Sequence, residues 1–271
     1  MAATIACLLF AILVSQEGKP SVVKFQGKEG LVREYQFSYS NTSTEATSET
    51  KKVVNRKTSM KIVERILSVD ADGSMDIEVD FDKVKAYISG KKQEAPFFPS
   101  ISFKMNPTGD IIDIKPVNPF DVAKGSAFPP YKEYMGSLEF PRVPIGKGDS
   151  WQYESKIMLP FSVYQNVMVK ASYNGEGDFN GKKCAIIATK HKAIVANAPS
   201  PLGLFITGTS TRKAESCFDV SSGELLTSKG ETTYSIVSTR AVGSPSEGPS
   251  PQVSLYLEEN FTTSLIKKRV E

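Results

Sequence analysis

The single histidine of the chain, His191, limits the hydrolytic mechanisms that the sequence can support. It lies between Lys190 and Lys192 near the end of a strand-like stretch, and this position predicts an exposed strand residue. A metal site built from several histidines is excluded because there is no second histidine. A Ser-His-Asp triad would need His191 as its base, but the sequence has no GxSxG turn to present the serine.

The chain has 30 acidic residues, so carboxylate chemistry is the next possibility. Asp76, Glu78, Asp80 and Asp82 alternate along one stretch, a pattern that could suggest calcium binding. Alternate side chains of a strand lie roughly 6.5–7 Å apart and point in parallel, whereas calcium needs oxygens that converge on one point. This acidic stripe is therefore predicted to be a solvated face. Two acids can suffice for glycoside hydrolysis, so a carboxylate-based hydrolase stays open as a minor alternative without a favoured pair.

Patterns for nucleotides and nucleic acids are missing as well. The sequence has no P-loop and no GxGxxG after a strand, and the glycine-rich stretch 174–181 predicts a hairpin loop rather than a phosphate cradle. The formal net charge is +3 and the charges are interspersed, so nucleic-acid binding is not indicated. We therefore expect no catalytic residue, no metal and no cofactor, which favours a protein that is not an enzyme.

Residues 1–15 form an apolar segment without a charged side chain. This length fits an export signal and falls short of the ~20 residues that span a bilayer, so no stable transmembrane span is expected in the mature chain. A buried N-terminal element and a retained membrane anchor are the alternatives. Removal of the segment would leave Cys184 and Cys217, and an even pair in an exported chain is a disulfide candidate. The expected location is extracytoplasmic: periplasmic, secreted or at the cell surface.

The elements that would position these residues are strands. Residues 74–81 place four apolar side chains on one face and three acids on the other, as in a half-buried antiparallel strand. Further candidate strands are 34–39, 59–69, 83–88, 151–157, 166–173, 182–192, 210–220, 231–239 and 252–266. Turn signals separate them at Asp72-Gly73, Thr108-Gly109, Asn180-Gly181 and Ser222-Gly223. Many short strands at this spacing predict an all-β protein with few or no long helices.

Two parts of the chain share a similar order of residues. Tyr35-Gln36-Phe37 matches Trp151-Gln152-Tyr153, and the glycine, acid and apolar pair that begin at Gly109 recur at Gly223. The landmarks keep their order, which favours a tandem duplication, although any antiparallel meander repeats turn chemistry. The predicted units are 1–15 (signal or apolar segment), 16–114 (first meander), 115–149 (connector) and 150–271 (second meander). Together the meanders predict one large curved, half-barrel-like sheet or a sandwich.

The connector carries six prolines and five aromatic residues. Proline removes a backbone donor, so this stretch cannot be a central strand, and its aromatics predict an ordered connection packed across the sheet, with one helical turn near 130–137. A second stretch rich in proline, serine and glycine, 243–252, predicts a long exposed loop.

The strand predictions also bear on the cysteines. If strand 182–192 pairs antiparallel with strand 208–219, paired residue numbers sum to roughly 400. Cys184 then faces residue 216 or 217, which favours a cross-strand disulfide to Cys217. Two reduced cysteines that act as small apolar residues are the alternative.

The second half of the chain resembles a group of secreted, uncharacterised bacterial β-repeat proteins, through a proline-containing lead into GDxW and a later FDxxxGxL hairpin. The matching residues are Pro141, Pro144, Gly148, Asp149, Trp151, Phe218, Asp219, Gly223 and Leu225. The hairpin is also similar to one in lipoprotein-carrier-like proteins of the LolA and LppX type. That likeness implies a curved antiparallel sheet that binds acyl chains beneath covering helices. This sequence departs from the pattern because it predicts few amphipathic helices for such a cover.

Together these observations predict a non-enzymatic extracytoplasmic β protein that binds a lipid or other hydrophobic ligand, or an envelope protein. The expected ligand-lining residues are Tyr35, Phe37, Trp151 and Tyr153, with the connector over them. The alternative is that these aromatics are ordinary core. A structural or adhesion module that presents its sheet edges to another protein is the second class of function.

Overall fold

The computed structural model of the protein describes residues 20–118, 138–240 and 252–270. Three sequence predictions fall largely outside these ranges: the signal-like segment 1–15, the helical turn near 130–137 and the loop at 243–252. Within the described ranges the only helical element is a 3-10 turn, Pro160–Ser162. No helix among these residues is long and apolar enough to cross a membrane.

Twelve strands make up most of the described chain, which confirms the all-β prediction. They are β1 Leu31–Ala46, β2 Lys51–Val69, β3 Met75–Ile88, β4 Lys91–Gln93, β5 Ile101–Met105, β6 Ile111–Pro116, β7 Ser150–Leu159, β8 Val163–Phe179, β9 Lys182–Pro199, β10 Leu204–Asp219, β11 Glu224–Arg240 and β12 Val253–Val270. The two candidate strands at 74–81 and 83–88 both fall in β3, where Lys83 adopts a positive φ of 53° at a register shift.

All twelve strands belong to one antiparallel sheet that is not closed. The order across the sheet is β6-β5-β3-β2-β1-β12-β11-β10-β9-β8-β7. The short strand β4 pairs with the C-terminal end of β3. Of the two predicted arrangements, the single large sheet is therefore correct and the sandwich is wrong. The two halves join where β1 pairs with β12 along sixteen residues, from Leu31 opposite Val270 to Ala46 opposite Ser254.

The four predicted XG dipeptides all lie in turns between strands. Asn180 and Gly181 both have positive φ, 53° and 78°, as a two-residue hairpin between β8 and β9 requires. The prediction of a hairpin loop over 174–181 is otherwise wrong, because residues 174–179 continue β8. A bulge between Tyr173 and Gly175 accommodates the glycine, and pairing with β9 resumes beyond it.

Alternation along most of the strands gives the sheet a buried inner face and an exposed outer face. The first core cluster joins inner residues of β1, β2, β3 and β5 to those of β9–β12. Two non-strand segments pack into it, residues 20–26 with Phe25 and residues 138–145 of the connector with Phe140. The Phe140 ring lies 4.7 Å from that of Phe218 and 6.2 Å from that of Trp151, and Trp151 Nε1 donates to Glu139 O at 2.7 Å. These segments therefore bridge the inner face.

A second core cluster lies on the inner face of the other half. It contains Ile157, Leu159, Val163, Val167, Val169, Ala193, Val195, Ile206, Tyr234, Ile236 and Leu257. The β-branched and aliphatic residues that dominate it suit a pleated, half-buried surface.

Cys184 and Cys217 are joined by a disulfide with a Cα–Cα distance of 5.4 Å. The predicted register of β9 and β10 is off by about three residues, because Cys217 lies opposite Ile186 and Lys192 lies opposite Thr211. β9 continues to Pro199, so the connecting loop is shorter than the sequence suggested. The two cysteines are therefore diagonal neighbours in the ladder rather than directly opposed.

Candidate ligand-binding site

A cavity of about 330 Å³ lies on the inner face, between the two halves of the sheet. One wall comes from β1 and β2, where Phe37 and Met60 are paired directly across the ladder. The opposite wall comes from the end of β7 and the turn after it, Met158, Leu159 and Pro160. The curvature of the sheet brings these distant strands face to face, since β7 is an edge strand and β1 is central.

The apolar part of the cavity is lined by buried side chains. Phe37, Met60, Leu159 and Leu257 are all buried. Each occupies an inner position of its strand because apolar residues recur there at every second position. This part of the cavity offers a ligand contacts with aliphatic and aromatic side chains.

The floor at one end of the cavity is polar. A row of polar side chains crosses the inner face in register, from His191 through Arg212, Thr232 and Glu259 to Asn41. Arg212, Thr232 and Glu259 line the cavity together with Tyr39. Charged residues are seldom buried unless they are paired, and His191, Arg212 and Thr232 of this row are buried on the inner face.

Arg212 and Glu259 carry the charges of this polar row. The guanidinium of Arg212 lies 4.5 Å from the centroid of the Phe261 ring, and the Tyr39 hydroxyl donates to Glu259 Oε1. Burial raises the pKa of Glu259, and hydrogen bonds from Tyr39 and Tyr234 with the charge of Arg212 offset that rise only in part. The carboxyl of Glu259 therefore takes up a proton at a higher pH than an exposed glutamate does.

His191 is buried, with 8% of its surface exposed, so the prediction of an exposed strand residue is wrong. The inner positions of β9 include Ala185, Ile187 and Val195, and His191 has the same parity, whereas its lysine neighbours point outward. Burial first, and then the positive charge of Arg212, lowers the pKa of His191 to about 4. The imidazole is therefore neutral at neutral pH.

The four residues predicted to line a hollow do not meet at one site. Phe37 lines the inner cavity, whereas Tyr35, on the same strand, is enclosed in the first core cluster. Trp151 packs against the first cluster and Tyr153 against the second. Burial, and then the nearby charge of Glu139, raises the pKa of Tyr153.

Sequence reasoning missed Arg212, Glu259 and Tyr39. A signal was present, since Glu259 interrupts the alternation of Leu255, Leu257 and Phe261, and Arg212 shares the parity of Ile206. A charged residue at an inner position of a strand is the pattern to search for. Among the described residues, no group of three or more histidine, cysteine or acidic side chains is placed to hold a metal ion.

Comparison with known proteins finds a weak structural similarity to a solved structure. No family model matches the chain, and no curated protein matches it. A solved structure of lipovitellin, concerned with lipid–protein interactions, superimposes with a TM-score of 0.48 at 11% sequence identity. The match covers 90% of this chain and 26% of that chain, so the protein corresponds to a small part of lipovitellin's length.

Proposed function

We propose that the protein is a non-enzymatic binding protein whose inner cavity holds a small hydrophobic molecule with one polar end. The observation that carries the proposal is the cavity itself, about 330 Å³ with an apolar part and a polar floor. Pockets for small molecules typically occupy ~300–1,000 Å³ and combine apolar walls with a few placed polar groups.

A packed core would not leave this space. Protein interiors are filled at a density near 0.75, and voids much larger than a water molecule are few. The cavity could hold on the order of ten waters at their liquid volume of ~30 Å³. Its apolar part, with Phe37, Met60 and Leu257, gives such waters no hydrogen-bond partners. A ligand with a hydrophobic body satisfies these walls better than water does.

The polar floor would orient the ligand. Arg212, Glu259 and Tyr39 lie together at one end and present both donors and acceptors. A hydroxyl, amide or acid on the ligand can bond there while its apolar body lies along Phe37 and Met60. In such pockets the apolar contact area contributes most of the affinity, and the polar groups fix the orientation of the ligand.

The disulfide supports an extracytoplasmic location, because such bonds persist in oxidising compartments. In that setting the ligand would be a lipid or a comparable apolar compound, received from or passed to an envelope partner.

The test is recovery of ligand from the purified protein, by native mass spectrometry and by solvent extraction. Binding of a fluorescent fatty-acid analogue to protein stripped of ligand gives a second readout. Met158 lines the cavity, whereas Met168 is 52% exposed. We expect M158W to weaken probe binding by about tenfold or more, because the indole fills the cavity, and M168W to leave it unchanged. Absence of both extracted ligand and probe uptake, in protein with native circular dichroism, would overturn the proposal.

A further inference from the structure

A second recess lies on the outer face, away from the inner cavity, and runs across six strands from β7 to β12. We call it the outer groove; its volume is about 760 Å³. Its floor is the backbone of one register row, Trp151, Ala171, Thr189, Ala214, Gly230 and Phe261. The side chains of this row turn inward, and the rows on either side form the two banks.

Three of the six floor residues, Ala171, Ala214 and Gly230, have small side chains or none. At Gly230 no side chain fits, because a Cβ would lie 2.4 Å from the Phe261 ring and 2.7 Å from Lys213 O. Packing at Gly230 therefore fixes the backbone floor of the recess, whereas lysine and glutamate side chains form much of its banks.

One bank of the groove carries three consecutive lysines. Lys170 lies opposite Lys190, and Lys190 lies opposite Lys213, on strands spaced about 4.8 Å apart. Like charges directly opposite each other destabilise a sheet, so this row opposes folding unless something neutralises it.

Acidic neighbours neutralise only the far end of the groove. Lys213 contacts Glu231 at 3.7 Å, and Lys229 contacts Glu215 at 3.1 Å. Within the part of the chain that the structure describes, no ion pair joins Lys170 or Lys190 to an acid. The groove residues include four lysines and two glutamates, which leaves a net charge of +2 concentrated towards β8 and β9.

From this geometry we infer that the outer groove binds a linear polyanion made of acidic sugar units. Charge complementarity requires anionic groups along an extended occupant, since the lysines stand in a line across the strands. This site is separate from the inner cavity and does not depend on the ligand proposed there.

Other polyanions fit the groove less well. Single-stranded nucleic acid needs aromatic platforms for its bases, but Trp151 and Phe261 turn their rings inward and the other lining residues are not aromatic. An acidic peptide would gain no strand pairing, because the groove crosses the middle of the sheet rather than an edge. A flat membrane surface cannot follow a recessed floor. A glycan needs neither rings nor a free strand edge, because its acidic groups and hydroxyls suffice.

The test is titration of the protein with a heparin octasaccharide at about 0.15 M salt, with the heat of binding measured by isothermal titration calorimetry. We expect the triple variant K170Q/K190Q/K213Q to weaken binding by about tenfold or more. The matched control is K57Q/K85Q/K91Q, which removes the same charge from exposed lysines of β2, β3 and β4. The control should stay within about twofold of the wild type.

Parallel titrations distinguish the class of polyanion. The proposal is overturned if the octasaccharide does not bind, or if both triple variants lose affinity equally, because binding would then be diffuse. It is also overturned if a single-stranded oligonucleotide, or vesicles of anionic lipid, bind more tightly than the octasaccharide. Unchanged circular dichroism of both variants ensures that a loss of binding reflects the groove.

Discussion

His191 and Arg212 are direct partners in the β9–β10 ladder, and both side chains are buried on the inner face. Two groups that can both carry a positive charge therefore stand side by side in a place with little water. Burial, and then the positive charge of Arg212, therefore favours the neutral form of His191. This arrangement makes the stability of the fold depend on pH.

The first prediction concerns the pH dependence that His191 imposes. Its pKa is about 4 in the folded protein, against 6.5 for an unperturbed histidine. As the pH falls below 6.5, the unfolded chain binds a proton that the folded protein does not accept until about pH 4. The free energy of unfolding should therefore fall by about 2 kcal/mol between pH 7 and pH 5 from this residue alone. Urea denaturation at both pH values measures it.

The control for that prediction is H191Q, which stays polar but does not titrate. The variant should lose most of the pH dependence between 7 and 5. An equal dependence in the variant and the wild type would mean that other groups are responsible.

A second prediction concerns the packing of Gly223 against the segment that precedes β1. Gly223 has a φ of 65°, and a Cβ there would lie 2.5 Å from both the N and the Cβ of Gln26. Gly181 has a similar φ of 78° but open space around it. Both G223A and G181A carry the cost of a left-handed backbone, about 1 kcal/mol, but only G223A adds a steric clash.

We therefore expect G223A to destabilise the protein by at least about 1 kcal/mol more than G181A in thermal or urea unfolding. Proteolysis should also cut near residues 20–26 faster in G223A, because the hydrogen bond from Gln26 N to Gly223 O would be lost. Equal losses in the two variants would show that segment 20–26 contributes little.

A third prediction concerns the ion pairs of Arg33. Arg33 and Glu64 are each 2% exposed, with 2.6 Å between Nη1 and Oε1, and Arg33 Nε lies 3.3 Å from Glu224 Oε1. Removing the cation in R33M leaves two buried carboxylates together, which should cost about 3–5 kcal/mol. The exposed pair of Lys213 and Glu231 supplies the comparison, and K213M should cost less than about 1 kcal/mol.

The buried cluster of Arg33, Glu64 and Glu224 also makes the stability of the fold depend on pH in the acidic range. Burial alone would raise the pKa of Glu224, but the hydrogen bond from Lys268 and the charge of Arg33 hold it below the usual value of 4.5. The resulting stabilisation is present above pH 4.5 and is lost as the pH falls through the lowered value. E224Q should therefore flatten the pH dependence of unfolding below pH 4.5. A wild-type profile that is flat from pH 4.5 to 3 would contradict this prediction.

A fourth prediction concerns the disulfide, which joins two cysteines that are 33 positions apart in the sequence. Loop-closure entropy predicts that C184S/C217S lowers the free energy of unfolding by about 3–4 kcal/mol. Urea denaturation of oxidised wild type, reduced wild type and the double variant measures the effect. If the reduced wild type is as stable as the oxidised protein, the bond does not stabilise the fold.

The sequence predicts the local features of this fold well and the distant ones poorly. Period-two alternation and XG dipeptides depend on neighbouring residues, so the strands and turns could be placed from them. The pairing of β1 with β12 joins residues more than two hundred positions apart, and no local pattern specifies it. The predicted register of β9 and β10 at Cys184 and Cys217 was wrong for a related reason, since the register depends on where the loop between the two strands begins and ends.

The site was harder to predict than the fold because its residues look ordinary in isolation. His191 was expected at the surface on account of its lysine neighbours, but strand parity rather than neighbour charge decides which face a residue occupies. Arg212 and Glu259 come together only through the ladder order β10-β11-β12. Curvature, which brings Met158 opposite Met60, is a property of the whole sheet and cannot be derived from any one strand.

The position of β1 between β2 and β12 also bears on how the protein is made. A ribosome releases β1 more than two hundred residues before its partner in β12, so one long edge of the first half stays open during most of synthesis. Folding that relies on such distant pairings is slow, and open strand edges invite association with other chains. The seam between β1 and β12 is therefore the step at which a chaperone or a delay of folding would matter most. Among the strands that the structure describes, β12 is therefore synthesised last although it lies in the middle of the sheet.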